Sequence, residues 1–295
     1  VSEEGARAAF GGSIAPIDSG AGPVVVLVHG QPGAGGDWRA LADLLSADHR
    51  VIAPDRPGWG ADDRAALGIA ANAEMLEQLL EAAGAQSPVT VVGHSLGGGV
   101  AIALALKHPE RVGALVLVGS VGVAGSLSGF DRLLGVPLLG NGIVRAGVAA
   151  LRRALIAATQ VSRRHPGFRV AHMVSILPTV QAAIGTDGRP MVGRSRRSFL
   201  VEQRALLAET PGLERSLCRL AVPTAVVTGA SDRVVPVSAS RSLAAQVPGA
   251  ELVVMAGGHL LPFDQPEKIA EVVRSYSTLA SGFRDAQPRR ERPGA

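Results

Sequence analysis

A chain of 295 residues with 47% hydrophobic and 18% charged side chains can bury a sizeable core, which excludes global disorder. Its single cysteine, Cys218, excludes an internal disulfide framework and any cysteine-cluster metal site, and 37 glycines without a G-X-Y period exclude collagen. The net charge of +4 accompanies only 3% aromatic residues, too few for a base-stacking surface, so no nucleic-acid partner is expected.

Val1–Phe10 contains Glu3, Glu4 and Arg7 and no apolar stretch, so no signal peptide is expected there. The expected location is cytoplasmic, with secretion, peripheral membrane attachment and a leader removed before Val1 left open. Short apolar runs then recur at Val24–Val28, Val51–Ala53, Val89–Val92, Ala114–Val118, Ala225–Thr228 and Glu251–Met255. Helical patterns lie between or after them at Trp38–Leu45, Ile69–Ala83, Gly98–His108, Val237–Gln246 and Glu267–Leu279. Uninterrupted apolar strands alternating with helices predict an α/β fold whose mostly parallel central sheet is covered by helices on both faces. The uncharged run between Arg111 and Asp131 is long enough for a membrane span. Its five glycines and three serines fit a strand followed by a loop better.

The alternation breaks over 121–219, which reads as a helical insertion between two strands. The expected organisation is a core of 1–120 and 220–283, the inserted segment 121–219, and a disordered Pro/Arg-rich tail over 284–295. From Val121 to Ala205 there are twelve arginines against Asp131, Asp187 and Glu202, a balance of +9 that leaves −5 for the remainder. Val144, Val148, Leu151 and Leu155 recur at helical spacing beside Arg145, Arg152 and Arg153. The plain reading is a helix with its apolar side on the body and its arginines in water. The sharper one is peripheral contact with an anionic membrane or an acidic substrate.

The chemistry centres on Gly93-His94-Ser95-Leu96-Gly97, a G-x-S-x-G pattern. The bare pattern is weak evidence, but here an apolar strand runs into it and a helical run leaves it. A strand-to-helix turn this tight strains the backbone at Ser95 and requires small residues two before and two after it. Gly93 and Gly97 meet that need. The turn would expose the Ser95 hydroxyl at the strand end and aim a helix N-terminus at it, favouring the negative charge that develops in acyl transfer.

The sequence resembles the α/β-hydrolase fold superfamily, in the manner of a serine esterase or lipase with a cap. Besides the elbow, Val25–Gly33 is similar to its strand ending in HGxPG, and Ala53–Gly60 to its D-x-P-G-x-G turn. Thr228–Pro236 resembles its acid-bearing G-x-x-D-x-x-x-P segment, and Gly257-Gly258-His259 with Asp264–Glu267 its histidine-bearing end. The order Ser95, Asp232, His259 then matches nucleophile, acid and base. A serine needs a base in reach, and the base needs a carboxylate to fix its tautomer. The resemblance also implies an oxyanion hole from the backbone N–H groups of Leu96 and Gln31, makes 121–219 the cap, and implies no cofactor. A side-chain role for Gln31 is the lesser alternative.

Other candidates receive structural readings. His29 is expected to hydrogen-bond near the oxyanion loop, His94 occupies the elbow's variable position, and Asp55 is a loop anchor. Cys218 is expected to be a small buried residue. His49, His108, His165 and His172 lack paired metal-ligand spacing, so no metal site is expected. The leading expectation is hydrolysis of a small lipophilic carboxylic ester. Carbon–carbon bond hydrolysis and cofactor-free perhydrolysis use the same triad, although carbon–carbon hydrolases often carry a longer HGGGPG loop than His29–Gly33. A non-catalytic ligand-binding protein of this fold is the alternative from another class. Ser95 argues against the aspartate-nucleophile dehalogenases and epoxide hydrolases.

Overall fold

The computed structural model describes residues 17–86, 88–136, 139–147 and 191–286. In chain order they form β1 (Ile17–Ser19), β2 (Val24–Val28), a 3-10 turn (Gly35–Trp38) leading into α1 (Arg39–Leu45), β3 (Arg50–Ala53) and α2 (Ile69–Ala82). Next come β4 (Val89–His94), α3 (Leu96–Lys107), β5 (Val112–Val118), α4 (Gly129–Gly135) and α5 (Met191–Glu214). The chain closes with β6 (Thr224–Gly229), α6 (Val237–Gln246), β7 (Glu251–Met255), α7 (Leu261–Asp264) and α8 (Pro266–Ala286). The seven strands make one sheet in the order β1-β3-β2-β4-β5-β6-β7. All neighbouring pairs are parallel except β1 with β3.

Every residue of β2 and β5 is buried, because helices cover both faces of the sheet. Side chains alternate between the faces. Val24, Val26 and Val28 enter one apolar cluster with Leu76, Leu80, Val100 and Leu104 of α2 and α3. Val25 and Leu27 enter the other, with Trp38, Leu41, Leu45, Ile269 and Val273. α3 is buried from Leu96 through Ala105, as its all-round apolar composition demands.

The chain steps from β2 outward to β3, then returns to place β4 on the other side of β2. The carboxyl ends of β2 and β4 therefore adjoin at the point where the winding reverses, with Val28 opposite Gly93. In open α/β sheets this crevice is where ligands bind.

Several expectations shift in detail. α3 begins at Leu96 rather than Gly98, because the turn at Ser95 is completed within one residue. The edge strand β1 and the single turn α7 are too short to leave a periodic signal in the sequence. Cys218 is exposed, not buried: the 3-10 turn Leu217–Arg219 spends its inward position on Leu217. α8 runs past Arg284 to Ala286, so the expected tail starts later, and 287–295 lie outside the described residues. Val148, Leu151, Leu155, Arg152 and Arg153 of the expected amphipathic stripe, and His165 and His172, also lie outside them. The uncharged run after Arg111 is β5 and a loop, and no helix among the described residues is long and apolar enough to cross a membrane.

The elbow tolerates no side chain at Gly97, where a Cβ would overlap the carbonyl of Val28 and lie 2.6 Å from that of His29. Gly97→Ala is expected to lower stability by at least ~2 kcal/mol, since backbone atoms cannot yield as a flexible side chain would. A urea midpoint equal to that of the wild type would contradict this close approach.

Candidate active site

Ser95 sits between β4 and α3 with φ 53° and ψ −121°, the one non-glycine residue at positive φ among the described residues. Such backbone strain persists only where the surroundings impose it. At Gly93 a Cβ would stand 2.5 Å from the Gly97 carbonyl oxygen and the Gly98 Cα, so both flanking glycines are sterically required. The Ser95 N–H donates to Val118 O at 3.0 Å, and Ser95 O accepts from Gly98 and Val121 at 3.0 and 3.1 Å. These bonds tie the turn to β5 and to the loop beyond it. Leu96 is the first residue of α3, so its N–H points out of the helix start.

Asp232 follows β6 and His259 follows β7, neighbouring strands of the sheet. His259 Nδ1 and Asp232 Oδ2 are 2.8 Å apart. The other carboxylate oxygen, Oδ1, accepts from the Val234 and Val235 N–H groups at 2.8 and 2.9 Å. Burial alone would raise the Asp232 carboxyl; the His259 contact and the two N–H donors outweigh it and hold it below the usual carboxylate range. A carboxylate so held keeps the proton on His259 Nδ1 and leaves Nε2 as the basic nitrogen.

Ser95 reaches this pair through its neighbour. The His94 ring lies 4.8 Å from the His259 ring, centroid to centroid, and His94 Nε2 donates to His259 O at 2.9 Å. Trp38 and Phe263 meet His94 edge-on at 6.4 and 5.8 Å. Among the described residues no hydrogen bond joins Ser95 Oγ to His259. Gly119, at the end of β5 with φ 50°, abuts the Asp232–His259 contact: a Cβ there would be 3.1 Å from His259 Nδ1 and 3.2 Å from Asp232 Oδ2.

The His29-Gly30-Gln31 loop completes the site. A Cβ at Gly30 would lie 3.0 Å from Ser95 Cβ, so this loop passes directly over the serine. His29 Nδ1 is 2.9 Å from Gly30 O, and its Nε2 accepts from Arg56 N–H at 2.9 Å, which requires the Nδ1–H tautomer. The Gln31 side chain does not face the serine as a donor; its Nε2 donates to Phe199 O on α5 at 2.7 Å. Asp55 bridges two loops, accepting from Gly35 N–H and Ala61 N–H at 2.7 Å each, and is the anchor expected of it.

The family model described as the alpha/beta hydrolase fold matches residues 23–266. The chain belongs to the α/β hydrolase fold family. It is 34% identical over 286 residues to a 2-hydroxymuconate semialdehyde hydrolase of Pseudomonas putida, covering 90% of this chain and 91% of that protein. Among solved structures it is similar to a thermophilic esterase from Thermogutta terrifontis, with TM-score 0.67, 25% identity and coverage of 90% and 92% of the two chains. It is also similar to the meta-cleavage product hydrolase CumD, with TM-score 0.63, 25% identity and coverage of 89% and 93%.

Sequence reasoning about this α/β hydrolase missed three parts of the site. His94, expected to be structural, donates to the His259 carbonyl, a partner that the elbow motif does not name. Arg56 lies inside the recognised Asp55–Gly60 turn, yet nothing in that motif says that its guanidinium is buried. Glu202 counted only as one acid among twelve arginines. The available signal was the four-residue spacing of Arg194, Ser198 and Glu202, which places three polar groups on one face of α5.

Burial, followed by the nearby charge of His259, lowers the His94 pKa to about 3. Burial and then Arg56 hold His29 well below the ordinary histidine value. A lowered pKa means that the neutral ring persists as the pH falls, so both rings are expected to remain uncharged from pH 8 to pH 5. Histidine ring resonances assigned by NMR should show no titration for either; a midpoint near 6.5 for His29 or His94 would contradict the buried, neutral assignment.

Proposed function

We propose that this chain is a serine hydrolase of carbonyl compounds, a carboxylic ester foremost, with Ser95 as nucleophile, His259 as base and Asp232 as the orienting acid. One arrangement carries the reading. A strained serine at a helix start and a hydrogen-bonded histidine–aspartate pair stand at the carboxyl edge of the same sheet. Serine has no nucleophilic power at neutral pH without a base, and imidazole is a competent base only in the tautomer that its carboxylate partner selects.

In this scheme Ser95 Oγ attacks the carbonyl carbon while His259 Nε2 takes the hydroxyl proton. Asp232 stabilises the resulting imidazolium through Nδ1–H. The carbonyl oxygen becomes an oxyanion held by the N–H groups of Leu96 and Gln31, with the N-terminus of α3 adding its dipole. Collapse expels the alcohol, which receives the proton from His259, and water repeats the sequence to release the acid. Every proton moves between named side chains, substrate and water, so the scheme calls on no cofactor. The segment 121–219 is read as the cap, and its Ala, Leu, Val and Gly content suits a lipophilic group.

Carbon–carbon bond hydrolysis is the second reading, favoured by the likeness to the 2-hydroxymuconate semialdehyde hydrolase. It would use the same triad with a carbon leaving group. Turnover of p-nitrophenyl esters of increasing chain length, run beside a meta-cleavage dienoate, decides between them. Faster ester cleavage is the expected result; cleavage of the dienoate alone would replace the ester reading.

Ser95→Ala is expected to cost at least about 10³-fold in turnover with the fold retained. Asp232→Asn is expected to cost on the order of 10⁴-fold, because the wrong imidazole tautomer is then favoured. Asp55→Asn, which loosens a loop anchor, should instead lower the melting temperature. Steady-state kinetics with thermal melts on the three variants check this. If Asp55→Asn abolishes turnover in a stable protein while Asp232→Asn does not, the carboxylate assignment is wrong.

A further inference from the structure

Arg56 is almost completely buried, 1% exposed, one residue after the loop anchor Asp55. A guanidinium stays charged, so its burial demands partners for its donors. They are two backbone carbonyls of the loop over Ser95 and one carboxylate. Arg56 Nε donates to His29 O at 3.1 Å and Arg56 Nη2 to Gly30 O at 2.8 Å. Nη1 and Nη2 fork onto Glu202, which is also 1% exposed and lies on α5. One of the few acids in the arginine-rich insertion is thus devoted to neutralising an arginine of the core.

The consequence runs through one peptide unit. The Gly30–Gln31 bond is trans, so its C=O and N–H point in opposite directions. Gly30 O is held by Arg56 Nη2 on one side, and by His29 Nδ1–H. Fixing that carbonyl fixes the Gln31 N–H at the opposite edge of the same peptide plane, and a Cβ on Gly30 would lie 3.0 Å from Ser95 Cβ, so this peptide unit is next to the serine. Two further contacts hold α5 in register with the same region: Arg194 Nη2 donates to Gly60 O at 2.8 Å and Ser198 Oγ to Gly58 O at 2.9 Å. With Glu202 these residues are spaced by four along one helix face. Between Ser198 and Glu202, Phe199 O receives the Gln31 side chain.

We propose that Arg56 and Glu202 are positioning residues for the oxyanion loop: Glu202, from the inserted segment, holds the Arg56 guanidinium, and Arg56 holds the Gly30 carbonyl so that the Gln31 N–H faces the reacting oxygen. Neither residue touches substrate. This inference rests on the proposed serine-hydrolase reading. It adds that the inserted segment, through Glu202, sets the quality of the oxyanion hole.

The test is the rate of Ser95 phosphonylation by a fluorophosphonate probe, resolved into the maximal rate constant and the half-saturating probe concentration. Wild type and Ser95→Ala come first: labelling of wild type that Ser95→Ala abolishes upholds the underlying reading, and any other result removes it together with this proposal. Arg56→Lys keeps the charge facing Glu202 but loses the planar fork that reaches both carbonyls. It should slow the maximal rate about 10- to 100-fold with half-saturation unchanged, because a misaligned N–H is lost only as the oxyanion forms. The double variant Arg56→Met with Glu202→Leu removes the buried pair as a unit, which leaves no lone buried charge. It should fold, with a melting temperature close to that of wild type, and should be slowed as much; it decides the matter should Arg56→Lys fail to fold. A folded variant of either kind that labels at the wild-type maximal rate would show that the pair is structural only and would overturn the proposal.

Discussion

Everything at this site depends on a steric bargain at one backbone position. Ser95 occupies φ 53°, where a side chain is costly, and does so because β4 must become α3 without an intervening loop. The strand is held by β2 and β5, and the helix is buried along almost its whole length. Neither can retreat to relax the turn. The cost is met by removing side chains around it: Gly93 against Gly97 and Gly98, Gly97 against Val28 and His29, Gly98 against Ser120. The glycine richness visible in the composition is here a requirement of close backbone approach rather than of flexibility.

From that turn outward, the site is an assembly of strand ends. β2 supplies the loop over the serine, β4 the serine, β5 the glycine that admits the acid–histidine contact, and β6 and β7 the aspartate and histidine. A parallel sheet delivers all its carboxyl ends to one edge, which is how residues from 29 to 259 become neighbours. The histidine has contacts beyond the aspartate. Its backbone carbonyl is held by His94, and the following turn brings Phe263 against His94 and Trp38. Burial, followed by His259, holds the His94 pKa down to about 3, so the neutral ring donates its one proton to that carbonyl.

The Arg56–Glu202 pair is a fully buried charged contact between the inserted segment and the core. Ion pairs inside proteins contribute little net stability, because desolvation offsets attraction, yet removal of one partner is severely destabilising. Such a pair is better understood as a device that specifies register. Here it fixes α5 against the loop whose N–H would meet the oxyanion, with Ser198, Arg194 and the Gln31 side chain adding neutral or peripheral bonds to the same end.

The sequence makes legible the class of the fold and the chain order of its longer strands, because continuous apolar runs and periodic helices depend only on local burial on both faces of a sheet. It also determined the elbow, since a strand, two glycines two residues either side of a serine, and a helix form a local motif. The short elements β1 and α7 escaped it because three or four residues hold no period. Cys218 is exposed, against expectation, because a single turn chooses its inward residue by packing, and here Leu217 takes that place. Contacts between residues far apart in the chain are not legible in the same way. Nothing near Arg56 announces Glu202, 146 positions away, and nothing near His94 announces the carbonyl of His259, 165 positions away. A buried polar group declares its partner only when the core has closed around it, because its need for that partner comes from the loss of water and not from its own sequence neighbourhood.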